Sequence, residues 1–151
     1  MTDSVALLLK ELRLPAFVRH YVPAWDTAAE KGWSHPEYLA ALCEYEIADR
    51  YQRRVYKWTR EAQLPRGKTF SSLDASRFTQ ANQGRLVKLQ QDLEWAHRAD
   101  NVLLLGPSGT GKTHIAAALG YALIEHGIRC RHFSAIALVQ LLQQAKRDLD
   151  L

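Results

Sequence analysis

Cysteine is scarce in this chain. Only Cys43 and Cys130 occur, far apart and with no Cys-x-x-Cys pair, so neither a disulfide framework nor a zinc knuckle is indicated. That agrees with a reducing, cytoplasmic setting. Long apolar runs are missing too. The N-terminus, MTDSVALLLKEL, starts acidic and holds too short an apolar stretch for a secretory signal, and no segment approaches a membrane span. The six histidines show no H-E-x-x-H or paired spacing, which argues against a histidine metal centre.

What is present is ordinary in amount and unusual in arrangement. The 47% hydrophobic and 24% charged fractions are those of globular proteins, and 151 residues accommodate one or two small domains. The chain is organised around residues 101–118, NVLLLGPSGTGKTHIAAA. An apolar run at 102–105 meets a turn made of Gly106, Pro107, Ser108, Gly109, Thr110, Gly111, Lys112 and Thr113. This turn matches the phosphate-binding pattern G-x-x-x-x-G-K-[ST] in full. A chance match in a chain of this composition is about one in two hundred, and the flanking strand-like and helical patterns lower it further. Gly106 and Gly111 permit backbone conformations that a Cβ would block. The loop amides cradle anionic oxygens. Lys112 reaches the β- and γ-phosphates of ATP, and the Thr113 hydroxyl holds Mg²⁺. The sequence therefore predicts a nucleotide site.

Read in order, the chain begins helical. Asp3 is placed to cap a helix over 3–12, and Pro15 opens a second helix that ends near Gly32, with Pro23 expected to kink or split it. Ser34 and Glu37 form a capping box for a long helix over about 36–61, with Leu39, Leu42, Tyr45 and Ile47 as core candidates. Residues 65–82 read as a connector in which Phe70 and Leu73 need a docking site. Helical spacing returns over 83–97. A strand at 102–105, the loop, a helix from 111 to about 126, a strand at 129–133 and a helix capped by Ser134 complete the pattern. A strand–helix–strand unit of this length predicts a parallel pair with a right-handed crossover. The expected fold class is α/β: an all-helical N-terminal domain (1–64), the connector (65–82), and the start of a P-loop NTPase parallel-sheet core (83–151), incomplete at its C-terminus.

Charge is concentrated in one place. Between positions 50 and 68 lie seven basic residues against the single acid Glu61, within a chain whose net charge is only +4. Arg50, Arg53, Arg54, Lys57 and Arg60 fall within an arc of roughly 120° at helical spacing. Tyr51, Tyr56 and Trp58 are interleaved. Such a stripe is the footprint of a contact with the phosphates of double-stranded DNA. An acidic partner protein or a plain solvated face are the other readings.

One component of an ATPase is lacking. Hydrolysis needs an acidic residue on a strand to organise Mg²⁺ and water, yet the acids after the loop are Glu125, Asp148 and Asp150, all on helical patterns. The reading is a chain that binds ATP and hydrolyses it poorly.

The stretch NVLLLGPSGTGKTHIAAALG, the later SAIALVQLLQQAK, the LPAF segment and the RGKTFSSLD connector together resemble the IstB-like ATP-binding proteins. These are transposition helper ATPases of insertion sequences, related to bacterial helicase loaders of the AAA+ class. The resemblance covers nearly the whole chain. It implies an ATP-binding protein that assembles as a homo-oligomer on DNA and assists a transposase. Its implied nucleotide site is the loop above, with Phe70 beside the adenine pocket. A replicative helicase loader, or a non-catalytic DNA- or partner-binding fragment, are the alternative roles.

Overall fold

The structure, a computed structural model, describes the backbone of residues 2–148 and the side chains of residues 4–148. The expected Asp3 cap and the acid at Asp150 lie outside the described side chains. Among the described residues, seven α-helices follow in order: α1 (Thr2–Glu11), α2 (Pro15–Lys31), α3 (His35–Ala62), α4 (Gln80–Gln91), α5 (Glu94–His97), α6 (Lys112–Glu125) and α7 (Ala135–Arg147). Two single 3₁₀ turns, Phe70–Ser72 and Ala75–Arg77, sit between α3 and α4. Among the described residues, no helix is long and apolar enough to cross a membrane. The chain divides into two compact units, Met1–Tyr56 and Lys57–Leu151.

In the first unit, α2 runs through Pro23 without splitting. It closes on Gly32, whose φ of 67° is the left-handed cap conformation and whose N–H donates to the Ala28 carbonyl. The capping box at α3 forms as spaced: Ser34 N–H donates to Glu37 Oε2 at 2.7 Å, and Glu37 N–H donates back to Ser34 Oγ at 3.4 Å. Small residues make the core, with Ala16, Ala24, Ala28 and Leu42 buried. Of the four core candidates on α3, only Leu42 is buried; Leu39, Tyr45 and Ile47 are exposed. The inward face continues from Leu42 to the buried, charged Glu46 instead. Apolar spacing alone could not anticipate a carboxylate in that stripe.

The second unit is built on α6. Ile115, Ala117, Ala118, Leu119, Gly120, Ala122, Leu123 and Ile124 are all buried, so this helix is apolar nearly all round, as a central helix must be. The connector lies along it. Leu64 packs on Gly120 so closely that a Cβ there would sit 2.7 Å from Leu64 Cδ2. Tyr121 donates its hydroxyl to the Pro65 carbonyl at 3.4 Å, and His114 Nε2 lies 2.9 Å from the Thr69 carbonyl and 3.1 Å from Ser72 Oγ.

The α/β class is not what the chain adopts. The described residues contain no strand, and the expected parallel-sheet core is absent. The two apolar segments show why. A strand exists only through a ladder with a partner, and neither segment finds one. At 129–133 the backbone goes elsewhere: His132 N–H donates to the Ala62 carbonyl at the end of α3, at 2.8 Å. Beside it, the Cys130 thiol donates to the Gly120 carbonyl at 3.4 Å. At 102–105 the side chains alternate, with Val102 and Leu104 half-buried while Leu103 and Leu105 are 81% and 90% exposed. The periodicity of a strand is there; the hydrogen-bonding neighbour is not.

Candidate functional site

The glycine-rich turn takes the backbone shape its composition demands. Gly106, Gly109 and Gly111 have φ of 153°, 79° and 88°, values that side-chain-bearing residues rarely adopt. Gly111 is the N-cap of α6 and, as a glycine, brings no side chain to cap that helix. Its first amides are therefore left for a ligand or water, and the positive end of the helix dipole favours an anion there. The turn is braced from within. Thr110 Oγ1 donates to the Pro107 carbonyl at 2.9 Å, and Lys112 Nζ donates to the same carbonyl at 2.6 Å. Lys112 is half-buried and Thr113 exposed, on the first turn of α6.

A cavity of about 740 Å³ adjoins the turn, within the usual range for small-molecule sites. Gly106, Pro107, Ser108, Gly109, Thr110 and Lys112 are among its lining residues. Arg77, Phe78, Asn82 and Arg85 line it as well, and among the described residues no carboxylate does. Phe78 closes on the turn: a Cβ on Gly111 would meet Phe78 Cζ at 3.4 Å. Phe70 is not part of that lining. It opens a 3₁₀ turn and is half-buried. The sequence carried no signal for Phe78, because the two residues that meet are 33 positions apart in the chain.

The basic stripe on α3 is more engaged than its sequence implied. Arg50 Nε donates to Glu46 Oε1 at 2.8 Å, and Arg53 Nε lies 2.8 Å from Asp49 Oδ2. Arg19 also pairs with Asp49. Burial pushes the Glu46 carboxyl upward, but the Arg50 hydrogen bond, the Ala16 amide and the charges of Arg50 and Arg53 outweigh it and hold it below the ordinary range. Asp49 is likewise lowered: burial raises it, and the pairs with Arg19 and Arg53 prevail. The guanidinium of Arg54 lies 5.7 Å from the Tyr51 ring centroid. In the second unit, Lys57 Nζ sits 3.9 Å from Glu61 Oε1, and Arg60 lines a separate cleft with Glu61, Gln63, Arg129, Cys130 and Arg131. Both Glu46–Arg50 and Asp49–Arg53 have i,i+4 spacing, a signal that sequence reading can use; a charge count begun at Arg50 leaves out the two acids just before it.

Comparison with known proteins places this sequence in a family. A family model described as IstB-like ATP binding protein matches residues 7–151. A candidate insertion-sequence ATP-binding protein of Sinorhizobium fredii is 36% identical over 97% of this chain and 49% of its own length. Another, from the insertion sequence IS21 of Pseudomonas aeruginosa, is 31% identical over 96% of this chain and 54% of its own. A third, from IS5376 of Geobacillus stearothermophilus, is 29% identical over 98% of this chain and 59% of its own. The chain thus spans about half the length of these curated relatives. With the family model covering nearly all of it, and the glycine-rich turn lying within the match, the chain belongs to the IstB-like ATP binding protein family.

Proposed function

We propose that this chain binds ATP at the turn formed by residues 106–113 and serves as a DNA-contacting helper of a transposase. The observation that carries the nucleotide reading is the start of α6 on Gly111, behind two further positive-φ glycines, beside a cavity with no carboxylate among its described lining residues. The loop amides would hold the β- and γ-phosphates. Lys112, now on the Pro107 carbonyl, would exchange that neutral acceptor for a phosphate oxygen, and Thr113 would hold the accompanying Mg²⁺. The nucleobase would lie toward Phe78 and Asn82.

The insertion-sequence context of the relatives favours transposition over helicase loading as the process served. Duplex DNA is the proposed polyanion for the basic residues of α3, and homo-oligomerisation on that DNA follows from the same reading. Calorimetric titration with Mg·ATP tests the nucleotide site. Lys112→Ala should weaken binding roughly tenfold or more, since a hydrogen bond to a charged group contributes about 1.5–3 kcal/mol. Unchanged affinity in a correctly folded variant refutes the assignment.

A further inference from the structure

The second unit carries a basic cluster that the α3 stripe does not describe. Arg129 and Arg131 approach Arg60, at the end of α3, across a gap of about seventy residues in sequence. The backbone bond from His132 N–H to the Ala62 carbonyl holds the two segments together. The resulting cleft of about 560 Å³ is lined by three guanidiniums and one carboxylate. The guanidiniums of Arg129 and Arg131 are held in orientation. Arg129 Nη2 sits 2.8 Å from Glu61 Oε2, and Arg131 lies over the Phe133 ring at 4.9 Å from its centroid.

We propose that Arg60, Arg129 and Arg131, three guanidiniums facing the one carboxylate of Glu61, form a phosphate-backbone contact for double-stranded DNA, whereas Arg50 and Arg53 are each matched by a carboxylate, Glu46 and Asp49. This assignment rests on the DNA reading above. All three arginines are exposed, which suits a polyanion that keeps much of its hydration. A single small anion is instead gripped by buried donors. Planar guanidinium forks match phosphate oxygens two at a time, as an ammonium cannot. Because the contact is made to phosphates, it should be indifferent to base sequence.

The test uses the full chain and fluorescein-labelled duplexes of two unrelated sequences, titrated at several salt concentrations. Arg60→Gln with Arg131→Gln leaves the Arg129–Glu61 pair intact. This double variant should bind both duplexes roughly tenfold more weakly at about 0.1 M salt, with a salt slope flatter by about 0.9 for each phosphate no longer neutralised. Lysine at both positions keeps the charge and should retain most of the slope, which separates the effect of charge from that of packing. Arg50→Gln with Arg53→Gln should have the smaller effect. Undiminished affinity and slope in the Arg60/Arg131 glutamine variant, with its helical circular dichroism intact, overturn the assignment while leaving DNA binding standing. A labelled polyglutamate peptide that binds with the same arginine dependence, where duplex does not, points to an acidic protein and overturns it too. Failure of the unaltered chain to bind any duplex removes the DNA reading itself.

Discussion

The Glu46 carboxylate accepts the backbone N–H of Ala16 at 2.9 Å, so a side chain of α3 caps the start of α2 from thirty residues away. Leu14, the residue at the N-cap of α2, has no polar side chain to do this. Ala16 is 1% exposed, so water cannot replace the acceptor. Removing it by Glu46→Ala strands a buried donor, at a cost of about 1–3 kcal/mol. Chemical denaturation monitored by circular dichroism should register that loss, and a change near zero would show that the cap contributes little.

The same carboxylate makes stability depend on pH. Its pKa is held below the ordinary glutamate value in the folded chain. Its stabilising contribution is therefore complete above the unfolded-state value and is lost as pH falls through the folded-state one. Asp49 works in the same direction. The stability difference between the unaltered chain and Glu46→Gln should be largest near neutrality and shrink as the pH is lowered through the carboxylate range. Melting curves at a series of pH values check this; a gap that stays constant would locate the effect outside the titration of Glu46.

Gly120 offers a sharper test of packing. In an exposed helix interior, Gly→Ala is favourable by about 1 kcal/mol. Here the added methyl would lie 2.7 Å from Leu64 Cδ2 and 3.5 Å from Cys130 Sγ. Overpacking of that kind costs about 1–3 kcal/mol, so Gly120→Ala should be neutral to destabilising. In a Leu64→Ala background the clash is gone and the same change should stabilise. A double-mutant cycle measures the coupling, and additive effects would mean that Leu64 does not press on Gly120.

His114 ties the connector to the helix that begins at the glycine turn. With its Nε2 at 2.9 Å from the Thr69 carbonyl and 3.1 Å from Ser72 Oγ, it supports the 3₁₀ turn Phe70–Ser72. His114→Ala should speed amide exchange over residues 69–73 while shifting global stability by only about 0.5–1.5 kcal/mol. Hydrogen-exchange mass spectrometry distinguishes this local loosening from a general one.

Hydrolysis should be slow. Phosphoryl transfer is accelerated by charge placed around the γ-phosphate and by an oriented water, and among the described residues no carboxylate lines the cavity beside the turn. The purified chain should bind Mg·ATP without turnover above background. Release of phosphate that Lys112→Ala abolishes would contradict this.

Most helix ends could be read from the sequence to within a residue or two, but the helical stretch expected over 83–97 is two helices, α4 starting at Gln80 inside the expected connector and α5 following a break at Asp92 and Leu93. Pro15, Gly32, the Ser34–Glu37 box and Ser134 mark ends that form where their chemistry says, because a helix satisfies its backbone through neighbours four residues away. The glycine spacing of the 106–111 turn likewise determined its positive φ values. Only the tertiary structure decided the rest: that His132 bonds to Ala62 rather than to a strand, that Phe78 meets the turn, and that Arg60 gathers with Arg129 and Arg131. Each of these depends on a partner distant in sequence. Periodicity states which face of a segment is apolar, but not what that face or its backbone will meet.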